Sequence, residues 1–312
     1  MLLLLTLSAL GLAVLAVAAD HLVIGSGRLA ERLGLQPVVV GVVVIGFGTS
    51  APELLVTGTA SLRGQSDLAL AGLVGSNIVN LTLILGLAGL AATLAVRSSV
   101  LRREAPLSVA AVTLFAVAAL SGLGPGTGVV LVVALAGSMV LLLRFARQAP
   151  RDPVAAETAD YLRTSARPRL TAEVPRTLLG LAGTLLGAQL LVVNASELAI
   201  QAGLSAELVG FTLVALGTSL PELVTSLQAQ RRGDSDLVVG NLLGSNLINS
   251  LAGGTIIAFA GTTAPAMAPA VIAAMAGVSG LTWALLARGK RLSRAESALL
   301  LVAYVALLPL VT

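Results

Sequence analysis

The sequence predicts an all-α polytopic membrane protein, with ten transmembrane helices forming two inverted five-helix repeats and interrupted helices at the bilayer midplane. Three observations lead to this prediction: the composition, the spacing of the apolar segments, and a polar segment that occurs twice. The chain of 312 residues is 56% hydrophobic and 11% charged, and its mean hydropathy is +0.98. This composition is too apolar for a soluble globular protein.

Apolar segments of about 20 residues are long enough to cross the hydrocarbon core of a bilayer. The ten predicted spans are residues 2–26, 37–61, 69–95, 105–122, 127–146, 176–202, 206–230, 237–260, 266–287 and 295–311. The first resembles a signal peptide but has no basic residues at its start, so we expect it to remain as a span. A polar linker, 147–175, separates the halves 1–146 and 176–312, and we expect no separate soluble domain.

The segment from Gly46 to Asn80 occurs a second time, ending at Asn249, without any insertion or deletion. Counted from Gly41 and Gly210, 18 of 40 aligned positions are identical, and matched residues are 169 positions apart. The identities fall mainly on Gly, Pro, Ser, Thr, Asn and Glu. Because packing alone would have preserved Leu and Val, the duplicated polar residues indicate a functional site.

The distribution of Lys and Arg predicts the orientation of the spans. With the N-terminus outside the cytoplasm, 18 of the 19 basic residues fall on the cytoplasmic side, and only Arg63 falls outside. Since five spans is an odd number, the second half then enters the membrane in the opposite orientation to the first. We therefore expect an inner (plasma) membrane protein with both termini outside, and a site where the two repeats meet near the midplane.

Each copy has a Gly and a Pro within one helical turn. Pro52 has no amide N–H for the carbonyl of Gly48, and Pro221 has the same relation to Gly217. We expect both helices to break there, because irregular backbone at membrane depth is tolerated where it lines a cavity or an ion site. The carbonyl groups expected to be freed are those near Gly46, Phe47 and Ala215.

One carboxylate accompanies each break, Glu53 in the first copy and Glu222 in the second. An ionised carboxylate near the bilayer centre costs at least about 2.5–3.5 kcal/mol, and no Lys or Arg lies in the interior of a predicted span. The compensating charge is therefore a proton or a bound cation. Nearby hydroxyl and amide side chains make an all-oxygen set that suits Ca2+ and Na+, although single Ser or Asn residues also join helices. These residues include Ser76 with Asn80, and Ser245 with Asn249, each pair on one helix face.

The motifs GTSAPE with GSNIVN, and GTSLPE with GSNLIN, resemble the two alpha repeats of the cation/calcium exchanger superfamily, in its prokaryotic sodium/calcium exchanger branch. The resemblance covers nearly the whole chain. It implies four adjacent calcium or sodium sites, and spans one and six that slide past the other eight. The residues at the matching positions are Glu53, Glu222, Thr49, Ser50, Ser76, Asn80, Thr218, Ser219, Ser245 and Asn249, with the carbonyls of Gly46 and Ala215.

The resemblance also implies electrogenic exchange of Na+ for Ca2+. We expect the protein to work in the lipid bilayer as a monomer, without a cofactor. Calcium/proton exchangers of the superfamily carry GNAxE-type motifs, which this chain lacks, and potassium-dependent members carry Asp where this chain has Asn249. These differences favour potassium-independent sodium/calcium exchange. A calcium/proton antiporter, or one for another cation, is the alternative.

Other functions fit the sequence less well. An intramembrane protease would need a His base, and the single His, His21, lies outside the repeats. A channel is disfavoured because two buried carboxylates without a symmetric ring of subunits favour tight binding over rapid conduction. Nucleic acid is excluded as a partner because the basic residues lie in short segments between spans, and the chain has no cysteine for a thiolate metal site.

Overall fold

The structure is a computed structural model of the protein. It describes residues 1–33, 46–64, 66–96, 101–148, 169–201, 215–260 and 267–311. Its first half contains α1 (Leu2–Leu33), α2 (Gly46–Thr49), α3 (Ala51–Leu62), α4 (Ser66–Val79), α5 (Leu85–Ala91), α6 (Glu104–Ser121) and α7 (Pro125–Gln148). The second half contains α8 (Leu170–Gln201), α9 (Ala215–Thr218), α10 (Leu220–Arg231), α11 (Ser235–Ile248), α12 (Gly254–Phe259), α13 (Pro269–Gly289) and α14 (Arg294–Val311). The strands β1 (Leu94–Ala95) and β2 (Arg291–Leu292) pair antiparallel.

The sequence repeat is also a structural repeat. Helices α2, α3 and α4 begin and end at positions that lie 169 residues before those of α9, α10 and α11. A π-helical turn follows at the same place in each copy, Asn80–Ile84 and Asn249–Gly253. The two copies therefore share local backbone geometry as well as sequence, including an irregularity that the sequence analysis did not predict.

Seven helices in the described part of the chain are long and apolar enough to cross a membrane. They correspond to predicted spans one, three, four, five, six, eight and nine. Spans two and seven are broken into short pieces, α2 with α3 and α9 with α10, and their first residues lie outside the described ranges. Span ten corresponds to α14. Of the predicted linker, 149–168 lies outside the described residues, while α8 starts six residues earlier than predicted, at Leu170.

Helices α1 and α8 pack closely because glycines, which have no Cβ atom, let their backbones approach each other. A Cβ atom on Gly187 would lie 2.6 Å from the backbone nitrogen of Leu15, and one on Gly180 would lie 2.5 Å from that of Leu22. Such contacts between small residues are the usual way in which membrane helices associate. At one end of the pair, Glu173 forms ion pairs with Arg28 (3.2 Å) and Arg176 (3.0 Å).

The ends of several helices meet on one side of the molecule. Gln230, near the end of α10, donates a hydrogen bond to the carbonyl of Ala92 (3.1 Å), and β1, which follows α5, pairs with β2, which precedes α14. Arg103 lies over the ring of Phe145, near the end of α7 (5.3 Å). These contacts bring together segments that the sequence analysis placed on the same, cytoplasmic side.

The exterior is apolar and the interior contains polar side chains, the reverse of a soluble protein. Leu179 and Val302 are 72% and 64% exposed, and many other Leu and Val side chains are also on the surface. Buried polar residues concentrate in α2–α4 and α9–α11. This arrangement fits a multi-pass membrane protein with a polar centre.

The α1–α8 contact gives a stability prediction. Gly187→Ala should destabilise the protein by about 1–3 kcal/mol, because the new methyl group forces the two backbones apart. The measurement is the melting temperature of purified protein in detergent. Gly137→Ala in α7 is the matched control, since a Cβ there meets no described atom within 4 Å. Equal melting temperatures for the two variants would show that α1 and α8 do not pack as described.

Candidate cation site

Both predicted helix breaks are present, and each is a single residue long. Ser50 separates α2 from α3, and Ser219 separates α9 from α10. Because the break is so short, a hydrogen bond still crosses it, from the amide of Ser50 to the carbonyl of Gly46 (3.2 Å). The Gly46 carbonyl, which we expected to be free, therefore already has a partner, and the hydroxyl of Ser245 lies 3.3 Å from it.

The two breaks place Glu53 and Glu222 in the interior, with only 4% and 0% of their surfaces exposed. Oε1 of Glu53 accepts hydrogen bonds from Ser76 (3.4 Å) and Ser219 (3.2 Å). Oε1 of Glu222 accepts from Ser245 (3.2 Å) and Ser50 (3.4 Å). Each carboxylate is thus bonded by one hydroxyl from its own repeat and one from the other, so the site forms only when the halves assemble.

Among the predicted ligand residues, four buried side-chain oxygen atoms accept no hydrogen bond from any described residue. They are Oε2 of Glu53, Oε2 of Glu222, Oδ1 of Asn80 and Oδ1 of Asn249. No described Lys or Arg forms an ion pair with either carboxylate. Buried acceptors without donors are costly, and carboxylate and amide oxygens are ligands that hard cations take.

The two amide side chains are held by their nitrogen atoms, which leaves their oxygens available. Asn80 Nδ2 donates to Oδ1 of Asn246 (3.0 Å), and Asn249 Nδ2 donates to Oγ of Ser76 (3.2 Å). Both residues are the first of their π-helical turn. Such turns are frequent at functional sites, because the extra residue changes the direction of the side chains.

The remaining predicted residues differ in how deeply they are buried. Thr49 is buried, and its hydroxyl lies 3.4 Å from that of Ser245. Its counterpart Thr218 is partly exposed. Ala215 is the first residue of α9, and its side chain is not among those described.

Three asparagines around the site were missed by the sequence analysis. Asn246 holds Asn80, and its own Nδ2 donates to the carbonyl of Asn77 (2.9 Å). Asn77 in turn donates to Ser250 (3.0 Å). Asn77 and Asn246 were visible as the shared Asn of the two GSN motifs, whereas the third, Asn241, has no counterpart in the first repeat.

The oxygen atoms gathered here are of the types that bind hard cations. The described residues contain no cluster of three or more His, Cys, Asp or Glu side chains, so a cation here would also need amide, hydroxyl or carbonyl ligands. Duplicated, interrupted membrane helices around a pair of carboxylates define the class: a secondary transporter for cations.

Comparison with known proteins agrees with this class. A family described as sodium/calcium exchanger protein matches residues 3–144 and 176–312. The putative antiporter CaxA of Alkalimonas amylolytica is 34% identical over 307 residues, covering 95% of this chain and 94% of CaxA. The inner membrane protein YrbG of Escherichia coli K12 is 36% identical over 177 residues, 56% of this chain and 52% of YrbG. A solved structure of the sodium-calcium exchanger NCX_Mj, soaked with Na+ and no Ca2+, has a TM-score of 0.85 and 28% identity, with 99% of each chain covered.

The chain belongs to the sodium/calcium exchanger protein family. It is a multi-pass membrane protein of a family of cation antiporters, not of an enzyme family.

Calcium binding at this site should stabilise the protein. A Ca2+ concentration 100 times the Kd should add about 2.7 kcal/mol to the free energy of unfolding, seen as a higher melting temperature in detergent. Glu53→Gln should remove most of this gain, because one of two carboxylates facing a divalent ion is lost. Glu197→Gln, a change at an exposed carboxylate in α8, should keep it. A full calcium effect in Glu53→Gln would exclude this carboxylate from the site.

Proposed function

We propose that the protein is a secondary-active antiporter that exchanges Na+ for Ca2+ by alternating access, and that the exchange is electrogenic. The observation that carries this proposal is the group of four buried acceptor oxygens on Glu53, Glu222, Asn80 and Asn249. The proposed ligands also include Thr49, Ser50, Ser76, Thr218, Ser219 and Ser245, with the carbonyls of Gly46 and Ala215.

The charge of the site favours exchange over uptake of one ion. Two carboxylates balance one Ca2+ or two Na+, and a third Na+ would leave the site with a net positive charge. Because the two ion loads use the same oxygens, binding one excludes the other. Competition for one site that opens alternately to the two sides produces antiport.

We propose a fold of ten transmembrane helices, with two inverted five-helix halves, 1–146 and 176–312, joined by a cytoplasmic linker, 147–175. The contacts of β1 with β2 and of Gln230 with Ala92 support this arrangement, since they join segments that the topology places on the cytoplasmic side. Both termini then lie outside the cytoplasm, and the lipid bilayer is the main surrounding partner of a working monomer.

The moving part in this proposal is the pair α1 and α8, which slides past the other helices. The close glycine contacts at Gly180 and Gly187 support movement of the two helices as one unit. Their outer surfaces are rich in exposed apolar side chains such as Val17 and Leu179. On the inner side, sliding must break two contacts of α1 with the end of α10, the ion pair of Arg232 with Asp20 and the hydrogen bond from Gln228 to the carbonyl of Ala16.

A transport assay separates the proposed exchange from its alternative, calcium/proton antiport. Purified protein in proteoliposomes should take up radioactive calcium when an outward sodium gradient is imposed, and a membrane potential should change the rate. Glu222→Gln should abolish uptake, and Glu197→Gln should leave it unchanged. Uptake driven by a proton gradient alone would favour the calcium/proton alternative.

Asn249 gives a further prediction, because a third carboxylate at this position would face Glu53 and Glu222. Repulsion among three buried negative charges should make Asn249→Asp take up a proton or an additional monovalent cation. Wild-type flux at fixed sodium and calcium gradients should be the same in potassium and in choline, whereas flux of the variant should depend on potassium or pH. Loss of wild-type flux in choline would contradict potassium independence.

A further inference from the structure

One of the sequence differences between the two repeats lies directly beside the site. Asn241 lies one turn before Ser245 on α11, and residues four apart share a helix face. The equivalent residue of α4 is Gly72, one turn before Ser76. The side chain that borders the site is therefore a large amide in one repeat and absent in the other.

Asn241 connects three helices. Its Nδ2 donates hydrogen bonds to Oγ1 of Thr225 (3.1 Å) and Oγ of Ser226 (3.2 Å). Both acceptors belong to α10. Its Oδ1 accepts a hydrogen bond from Thr49 of α2 (3.3 Å). Since Asn241 is only 2% exposed, these bonds are shielded from water. They link α11 and α10 of the second repeat to the broken helix of the first.

The equivalent position in the first repeat is open. Gly72 is exposed, and a Cβ atom there would meet no described atom within 4 Å. Val56, the counterpart of Thr225, is 41% exposed, and Thr218, the counterpart of Thr49, is partly exposed. The first repeat therefore lacks the buried amide network of the second, and Gly72 and Val56 are more exposed than Asn241 and Thr225.

The residues that precede α11 and α4 indicate the membrane face at which each helix begins. Helix α11 begins just after Arg231 and Arg232, on the side where Gln230 contacts Ala92, and this is the cytoplasmic side in the proposed topology. Helix α4 begins after Arg63, on the opposite side. The route beside Asn241 is thus the cytoplasmic one, and the route beside Gly72 is the extracytoplasmic one.

We propose that Asn241 is a positioning residue that holds the cytoplasmic route to the site closed, through its bonds to Thr49, Thr225 and Ser226. Access from the cytoplasm then requires these bonds to break in addition to the sliding of α1 and α8, whereas no such amide closes the other route. The states of the antiporter that open to the two faces of the membrane therefore differ in free energy. This inference rests on the proposed alternating access and topology.

Thiol labelling provides a direct test, because the natural chain contains no cysteine. Ala229→Cys reports on the cytoplasmic route, since Ala229 follows Ser226 on α10 and is buried. Ala60→Cys, at the equivalent buried position of α3, reports on the other route. A membrane-impermeant thiol reagent is applied to each side of proteoliposomes in turn, and the modification rate is measured for each reporter.

Adding Asn241→Gly, which installs the residue of the first repeat, should raise the cytoplasmic modification rate of Ala229→Cys at least about tenfold and lower the rate at Ala60→Cys. One net hydrogen bond changes an equilibrium by roughly 2- to 13-fold, and three are lost. Gly72→Asn is the matched reciprocal change, and it should slow modification at Ala60→Cys. Unchanged rates at both reporters in a folded Asn241→Gly protein would overturn the inference.

Two further results keep this test separate from the proposed function. Labelling requires no transport, so a shift in rates without sodium-driven calcium uptake would support the role of Asn241 and count against the ions proposed. Modification of Ala229→Cys from the extracytoplasmic side alone would overturn the inference, because the route would open to the other face. If Asn241→Gly does not fold, Ser226→Ala removes one partner and should raise the rate roughly 2- to 13-fold. No increase in that variant would likewise overturn the proposal.

Discussion

The structure depends on two carboxylates, Glu53 and Glu222, that are buried in an apolar molecule without a cationic side chain to pair with them in the described part of the chain. A charge in this position is costly, and the protein reduces the cost with hydroxyl groups without cancelling the charge. One oxygen of each carboxylate is bonded and the other is not. In the proposed function, a transported cation supplies the remaining positive charge, and ion binding and ion exchange then use the same atoms.

Duplication explains how a short segment builds such a site. Each carboxylate is bonded by Ser76 or Ser245 from its own repeat and by Ser219 or Ser50 from the other. Neither half completes the site alone, so the ligands depend on how the halves are placed. In the proposed mechanism, sliding of α1 and α8 against the other helices changes the surroundings of these ligands, which links ion binding to movement without a separate coupling device.

Near symmetry makes the differences between the repeats informative. Asn241 and Gly72 occupy equivalent positions, but the first is bonded on all sides and the second is exposed. A fully symmetric pair of repeats would close both routes equally well. A single amide that bonds across the repeats on one side is sufficient to favour one state, because each hydrogen bond shielded from water is worth a several-fold change in population.

The sequence by itself determined the class of fold, the two breaks at Ser50 and Ser219, and the pair of carboxylates, because these follow from apolar length, from the Gly and Pro residues within one turn, and from a duplication without insertion or deletion. The π-helical turns at Asn80 and Asn249 were not predictable, since no residue type marks them, and neither was the hydrogen-bonded state of the Gly46 carbonyl. Asn246 was visible as a repeated residue, but its role in holding Asn80 depends on contact between the halves. The hydrogen bonds that Asn241 makes to two other helices were likewise decided only by tertiary structure. A sequence gives the spacing of residues along a helix but not the distance between helices.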